Sequence, residues 1–229
     1  TIQKVIVQSQ NTNFSLISMN KKMSFMLFAI FLIYVDSQAN YDFDCQGSDW
    51  PLDFPECGGM RQSPINIETG LIDCTTPLVL SNQQLRINDN PRRVFEVTNN
   101  GVFINVQEKP GPVSGAASVL TDVKGQRYIF DSIHWHWGSI NTQGSEHTFD
   151  DEQAPIEAHL VHYWDRASSV AEAVADYQAN NSLITLAVVG VLFEIGRPNP
   201  EIDNILDNID IGTITKLKLS SFIPTNRQY

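Results

Sequence analysis

Basic residues are scarce in this sequence. Its 229 residues include 15 Lys and Arg against 26 Asp and Glu, a formal net charge of −11. No block of Lys or Arg interrupts this acidity, so the chain is poorly suited to bind a phosphate backbone, and we expect no nucleic-acid partner. Internal repeats and low-complexity tracts are also absent, while hydrophobic residues make up 42% of the chain. This content excludes wholesale disorder and, at about 150 residues per domain, predicts one domain with a sizeable core.

Long hydrophobic runs are equally scarce. The longest, Phe25–Val35, has 11 residues, whereas a membrane-spanning helix needs about 20. Two lysines precede the run and small residues follow it, which is the pattern of a secretory signal peptide over residues 19–39. Met19 and Met23 are alternative starts, and we expect residues 1–18 to be untranslated leader or unstructured. The chain is therefore predicted to be secreted.

Cysteine is limited to three residues, Cys45, Cys57 and Cys74. Extracellular cysteines are usually paired, so an odd number leaves one thiol free or with its partner missing. Their connectivity stays open here because pairing cannot be deduced from sequence. Secretion also makes the sequon Asn180-Asn-Ser182 a candidate N-glycosylation site at Asn180.

The mature chain, residues 40–229, is predicted to be mainly β-structure. Short runs rich in β-branched and aromatic residues alternate with turn sequences, as in Val102–Val106 and His159–Trp164. Only Ser168–Gln178 and Pro200–Asp207 have helical patterns. No segment is long enough to serve as an interdomain linker, so we predict a single mainly-β domain with a few short helices.

All five histidines lie between His134 and His162. Side chains alternate along a strand, so His134 and His136 share one face and the neighbouring tryptophans point the other way. If the next strand pairs antiparallel with this one, His159 completes a set of three imidazole nitrogens. Three neutral imidazoles with one open position form a catalytic zinc site, while hydrogen-bonded core histidines are the alternative. His162 lies three residues after His159, on the opposite face, and is not predicted as a ligand.

Acidic and hydroxyl side chains accompany these histidines. A metal-bound imidazole usually donates its second N–H to a carboxylate or another acceptor, which fixes the tautomer. Glu157 lies two residues before His159, and Ser132 lies two residues before His134, in both cases on the expected metal face. Glu146 lies in the loop between the two strands. A solvated loop charge is the alternative for each glutamate.

Four motifs in order make the chain resemble the α-class carbonic anhydrases: Arg61–Ile67, His134–Ser139, Gln143–Thr148 and Glu157–His162. The similarity covers essentially the whole mature chain. It implies a fold built on a large twisted, mostly antiparallel central sheet with a few short helices. It also implies Zn²⁺ as cofactor and the reversible hydration of CO2 to bicarbonate and a proton, with zinc-bound hydroxide as the nucleophile.

The same resemblance implies roles for individual residues around the metal. The three zinc ligands match His134, His136 and His159. Glu157 matches the carboxylate behind the third ligand, and Ser132 stands where many members have a glutamine. Glu146 matches the acid that holds a threonine hydroxyl toward the zinc-bound hydroxide.

Further positions match the substrate pocket and the proton path. Val161 and Val188 match the apolar wall beside CO2, and Tyr41 matches a tyrosine of the proton-path water network. Val102 occupies the position of a proton-relaying histidine. Because valine cannot carry a proton, this departure predicts slower turnover that depends on buffer.

A second departure lies at the end of the chain. Family members continue beyond the point that matches Tyr229, so we expect the C-terminal part of the domain to be missing. The missing part would include the threonine that Glu146 orients and the usual disulfide partner of Cys57. Cys45 and Cys74 form a second candidate bridge. A membrane anchor is expected only if such a tail carries one.

The leading hypothesis is therefore a secreted zinc lyase acting on CO2 and bicarbonate. The alternative is a non-catalytic zinc- or partner-binding relative that keeps the scaffold. Retention of all three candidate ligands favours the enzyme, whereas a missing C-terminal segment favours the alternative. The oligomeric state is not predicted.

Overall fold

The computed structural model describes residues 4–10, 48–60, 62–71, 93–99, 103–109, 119–121, 126–180, 183–209, 211–214 and 217–222. The chain forms two compact units. The smaller unit, Leu16–Pro64, contains helix α1 (Trp50–Asp53) and a 3-10 turn (Pro55–Gly58). The larger unit, Thr1–Ser15 with Ile65–Tyr229, contains every strand that the structure describes.

Most of the larger unit is a sheet of eight strands. The described strands are β1 (Lys4–Gln10), β2 (Asn66–Ile67), β3 (Phe95–Asn99), β4 (Ile104–Glu108), β5 (Val119–Thr121), β6 (Arg127–Trp137), β7 (Thr148–Phe149), β8 (Glu152–Gln153), β9 (Ile156–Trp164), β10 (Leu186–Phe193) and β11 (Thr213–Ile214). Seven of them follow the order β1-β10-β9-β6-β4-β3-β11, and β5 also pairs with β6. Only β1 and β10 pair in parallel within this sheet. Strands β6 and β9 therefore lie side by side in its interior.

Smaller elements surround this sheet. Strands β2, β7 and β8 form a second, three-stranded sheet. Helix α2 (Val170–Ala179) begins where the Ser169 hydroxyl accepts the backbone N–H of Glu172 at 3.2 Å. Helix α3 (Pro200–Asp207) begins with proline at its first position, where no intrahelical N–H is needed. Further 3-10 turns span Thr69–Leu71 and Leu219–Phe222.

One extra residue in β6 decides which side chains face the candidate site. Phe130 pairs with His162 on β9, and after Asp131 the pairing resumes at Ser132. Such a bulge reverses the alternation of side chains, so positions beyond it exchange faces. Phe130 is consequently buried in the core, whereas His134, four residues later, lies on the other face of the sheet.

The face opposite His134 is the hydrophobic core. Ile133 and Leu160 are fully buried there, and Trp135 packs edge-on against Phe222 with ring centroids 5.7 Å apart. Full burial of an aliphatic side chain stabilises the fold by about 1.5–3 kcal/mol. The core thus fixes the two strands that carry the histidines.

The predicted fold class is confirmed: the structure is mainly β, with a largely antiparallel central sheet and a few short helices. The two predicted helical patterns correspond to α2 and α3. Residues 1–18 differ in part from the expectation of leader or unstructured chain, because Lys4–Gln10 form β1. The reason is local: the run Val5–Val7 is β-branched and pairs with β10 in register. The predicted signal peptide, residues 19–39, lies outside the described residues.

Within the described part of the chain, no helix combines the length and the apolar character required to cross a bilayer.

Candidate metal centre

Three imidazoles converge from two neighbouring strands. His134 and His136 extend from β6, and His159 extends from β9, where it pairs directly with His134. Ring centroids are 5.1 Å apart for the β6 pair and lie 5.2 and 4.8 Å from His159. One nitrogen from each ring lies within 4.8 Å of the other two. The pairing of β6 with β9 beyond the bulge places these side chains next to each other.

Burial keeps the two imidazoles of β6 uncharged. Desolvation, reinforced by neighbouring histidines, lowers the pKa of His134 to about 4 and that of His136 to about 3. At neutral pH both rings therefore carry a free lone pair, which a metal requires of an imidazole ligand. The buried Nε2 of His136 makes no hydrogen bond in the part of the chain that the structure describes. A cation at this point would satisfy it, so the residues fit a metal ion.

Glu157 lies directly behind His159 and is fully buried. Its Oε1 lies 2.8 Å from Nε2 of His159 and 2.6 Å from Nδ1 of His147. Its Oε2 accepts the backbone N–H groups of Glu146 at 2.9 Å and His147 at 2.8 Å. Burial by itself would raise the pKa of Glu157, but the hydrogen bonds from His147 and His159 outweigh it and hold the pKa well below its usual range. Glu157 is therefore an ionised carboxylate. Because Nε2 of His159 faces it, Nδ1 of His159 points toward the other imidazoles.

Two neighbours of Glu157 had no assigned role in the sequence reasoning. His147 holds one carboxylate oxygen, and Gly190 leaves room for it, since a Cβ at that position would lie 2.6 Å from Oε1. A glycine inside a buried strand is a signal of such a close approach. The sequence therefore indicates that another group approaches Gly190 closely, but it does not identify that group as Glu157.

Glu146 reaches the centre from the loop between the strands. Its Oε2 lies 3.3 Å from Nε2 of His136 and 3.6 Å from Nδ1 of His159. Burial raises the pKa of Glu146, although the nearby His159 opposes this. One carboxylate oxygen thus faces two of the three candidate ligand atoms.

Phe103 also contacts the centre and was not predicted from sequence. Its ring centroid lies 5.1 Å from that of His134 and 6.3 Å from that of His136, with both ring pairs tilted. It precedes β4, whose Asn105 pairs with His134. The ring therefore covers one side of the two β6 imidazoles.

A family model described as eukaryotic-type carbonic anhydrase matches residues 45–229. The chain belongs to the carbonic anhydrase family. The family catalyses CO2 hydration as a lyase and is typically zinc-dependent, and the cluster of His134, His136 and His159 is able to hold a metal.

Individual carbonic anhydrases are similar over most of this chain. Mouse carbonic anhydrase 1 (Mus musculus) is 31% identical over 193 residues, which cover 79% of this chain and 67% of the mouse protein. Bovine carbonic anhydrase 6 (Bos taurus) is 30% identical over 180 residues, which cover 74% of this chain and 51% of the bovine protein. The matched region thus spans only about half the length of the bovine relative.

The structure also places the residues predicted to line the pocket on the histidine face of the sheet. Ser132 pairs with Val161 on β9, and Val161 pairs in turn with Val188 on β10. These three positions form a row across the sheet, next to the row that contains His134 and His159. Ser132 is buried and both valines are half-buried.

The sequence singled out further residues, and the structure describes only some of them. His162 is fully buried on the opposite face, where its Nδ1 lies 2.9 Å from the carbonyl oxygen of Leu160. Cys57 is a free, half-buried thiol. Asn180 is exposed at the end of α2. Four predicted residues lie outside the described part of the chain: Tyr41, Cys45, Cys74 and Val102.

Proposed function

We propose that this protein hydrates CO2 reversibly to bicarbonate and a proton, with one Zn²⁺ held by His134, His136 and His159. The observation that carries the proposal is the convergence of three imidazoles from two interior strands, two of them held neutral by burial and one with an unsatisfied buried nitrogen. A zinc ion held by these residues would supply a nucleophile near neutral pH, because zinc lowers the pKa of water.

The protein's own groups prepare this chemistry. Glu157 lies 2.8 Å from Nε2 of His159, where its negative charge favours the tautomer with a proton on that nitrogen and increases the basicity of Nδ1. Val161 and Val188 pair across β9 and β10 and offer an apolar surface next to the histidines, which suits the apolar CO2 molecule. We also assign Glu146 and Tyr41 to the catalytic machinery, and Ser132 to a supporting position near His134.

The proton released in each cycle must leave the pocket. Val102 occupies the position at which the family resemblance implies a proton-relaying histidine, and the valine side chain has no exchangeable proton. We therefore expect the hydration rate to rise with buffer concentration, because external buffer then accepts the proton. Stopped-flow hydration across a buffer series measures this, and a fast rate that ignores buffer concentration would contradict it.

The proposed function includes an extracellular location. It is supported by the signal-like pattern of residues 19–39 and extends to a Cys45–Cys74 disulfide and N-glycosylation at Asn180. N-terminal sequencing of protein from the culture medium should begin at Asn40. Retention of residues 19–39 in the product would overturn this part of the proposal.

Matched histidine variants test the central proposal. His136→Asn removes one candidate ligand, while His162→Asn removes a fully buried histidine from the opposite face. We expect wild type and His162→Asn to bind zinc stoichiometrically and to catalyse sulfonamide-inhibited hydration, and His136→Asn to lose both. Zinc binding without hydration in the wild type would instead indicate the non-catalytic module.

A further inference from the structure

The sheet face that carries the three candidate ligands also carries a carboxylate at the bulge of β6. Phe130 is buried in the core, so its neighbours Ile129 and Asp131 point to the opposite face. Beyond the bulge, Ser132 and His134 lie on that same face, because the extra residue shifts the alternation by one. Asp131 is half-buried there, and a rise of about 3.3 Å per residue separates it from His134 by about 10 Å along the strand.

The surroundings of Asp131 agree with this position. Gln107 on β4 donates its side-chain N–H to Oδ1 of Asp131 at 3.3 Å. Burial, together with the negative charges of Asp131 and Glu108, raises the pKa of Tyr163 on β9. Side chains from three adjacent strands, β4, β6 and β9, therefore come together at this carboxylate.

The charge of Asp131 is not balanced by a cation in the part of the chain that the structure describes. Glu108, the other acid near Tyr163, forms an ion pair with Arg93, with Oε2 and Nη1 3.0 Å apart. No lysine or arginine among the described residues pairs with Asp131 in the same way. At about 10 Å, one such charge changes the local concentration of a monovalent ion about twofold even in the dielectric of water.

We propose that Asp131 determines which bases accept the proton released by hydration, favouring imidazoles and amines over phosphate. The inference rests on the proposed function, in which Val102 cannot relay the proton and external buffer must accept it. A neutral imidazole that takes up one proton becomes a cation, which the carboxylate attracts. The accepting form of phosphate is a dianion that becomes a monoanion, and the carboxylate repels it as it approaches.

Buffer preference in two matched variants provides the first test. Asp131→Asn removes the charge and keeps the side-chain size, while Asp203→Asn removes the same charge from an exposed position in α3. Stopped-flow hydration by the zinc-loaded full chain is followed in increasing imidazole or phosphate, at one pH and one low ionic strength. We expect the ratio of the imidazole to the phosphate rate constant to fall about three- to fivefold in Asp131→Asn and to stay unchanged in Asp203→Asn.

Anion binding gives a second readout that does not depend on turnover. In the Co²⁺-substituted protein, the visible spectrum reports thiocyanate binding. The dissociation constant of thiocyanate should fall about twofold in Asp131→Asn and should not change in Asp203→Asn. At about 1 M ionic strength, where the Debye length is about 3 Å, wild type and Asp131→Asn should bind thiocyanate equally.

The outcomes separate this inference from the proposed function. A buffer ratio that is the same in wild type and Asp131→Asn, or that changes equally in both variants, overturns the role of Asp131 and leaves CO2 hydration intact. A wild type that binds zinc but does not hydrate CO2 overturns the proposed function, and the inference with it. If Asp131→Asn does not fold, Gln107→Glu decides: this change adds a charge at the exposed neighbour and should raise the ratio, and an unchanged ratio overturns the inference.

Discussion

At the residue scale, Gly190 is the smallest component of the metal centre and one of the most constrained. A Cβ at this position would lie 2.6 Å from Oε1 of Glu157, which is closer than real Cβ contacts allow. The buried carboxylate has little freedom to retreat, since His147 and two backbone N–H groups hold it. The orientation of His159 therefore depends on position 190 having no side chain.

This dependence predicts the effect of Gly190→Ala. Displacement of Glu157 should weaken zinc affinity by about tenfold, in the range seen when an outer partner of a ligand is lost. Overpacking should also lower the free energy of unfolding by about 1–3 kcal/mol. Val191→Ala is the control, because this buried neighbour lies on the other face of β10 and should lose stability but not zinc affinity. Competition with a chromogenic chelator measures the affinity; equal values for Gly190→Ala and wild type would refute the prediction.

His162 gives a second prediction at the residue scale. Burial lowers its pKa to about 4 from an ordinary 6.5, despite hydrogen bonds to backbone carbonyls that favour the charged form. The unfolded chain thus binds a proton at higher pH than the folded chain does. Folding is favoured by this residue above about pH 6.5, and the advantage declines as the pH falls toward about 4, amounting to about 2 kcal/mol between pH 7 and pH 5.

Chemical denaturation of metal-free wild type and His162→Asn across this range measures the contribution. The decrease in unfolding free energy on acidification should be smaller in the variant by about 2 kcal/mol, while the other histidines contribute to both proteins. Parallel pH profiles for the two proteins would show that His162 does not contribute in this way.

At the element scale, the bulge at Asp131 determines the site. Without the extra residue, Phe130 and His134 would share one face, since they are four residues apart in a strand. Deleting Asp131 should therefore direct either the aromatic residue or the imidazoles to the wrong face. Asp131→Ala keeps the extra residue and is the matched control.

We expect the Asp131 deletion to lose stoichiometric zinc binding, measured by metal analysis of purified protein, while Asp131→Ala retains it. Loss of cooperative unfolding in the deletion would have the same cause, because a one-residue slip in β6 exposes its core face. A deletion variant that binds zinc as wild type does would disprove the role of the bulge.

The same strand shows how far sequence reasoning extends. Alternation placed His134 and His136 on one face and Trp135 on the other, as the structure has them, because a period of two holds within any regular stretch. The bulge could not be predicted, since it depends on which residue of β9 each position pairs with. For the same reason Gly190, His147 and Phe103 were missed: their roles arise from contacts between segments distant in sequence.

At the scale of the whole molecule, β1 extends the sheet beyond β10. It pairs in parallel along the full length of that strand, from Lys4 with Ala187 to Gln10 with Phe193. Strand β10 is therefore bonded on both sides, to β1 and to β9. Loss of β1 would leave the backbone N–H and C=O groups on that side of β10 unpaired.

Removal of residues 1–39, as signal-peptide cleavage would produce, should accelerate amide hydrogen exchange in β10. Amides of β6, which remains paired on both sides, serve as the internal reference. Hydrogen exchange followed by mass spectrometry compares the two forms. Identical protection of β10 with and without residues 1–39 would indicate that β1 does not stabilise this edge.

The interior position of β6 and β9 has a kinetic consequence for the metal. Every candidate imidazole is carried by a strand with bonded neighbours on both sides, and none by a terminus or a loop. Such strands separate only in rare, large-scale openings. An ion once captured should therefore have a residence time set by the opening of the sheet, and excess chelator would extract it at a rate that no longer increases with chelator concentration.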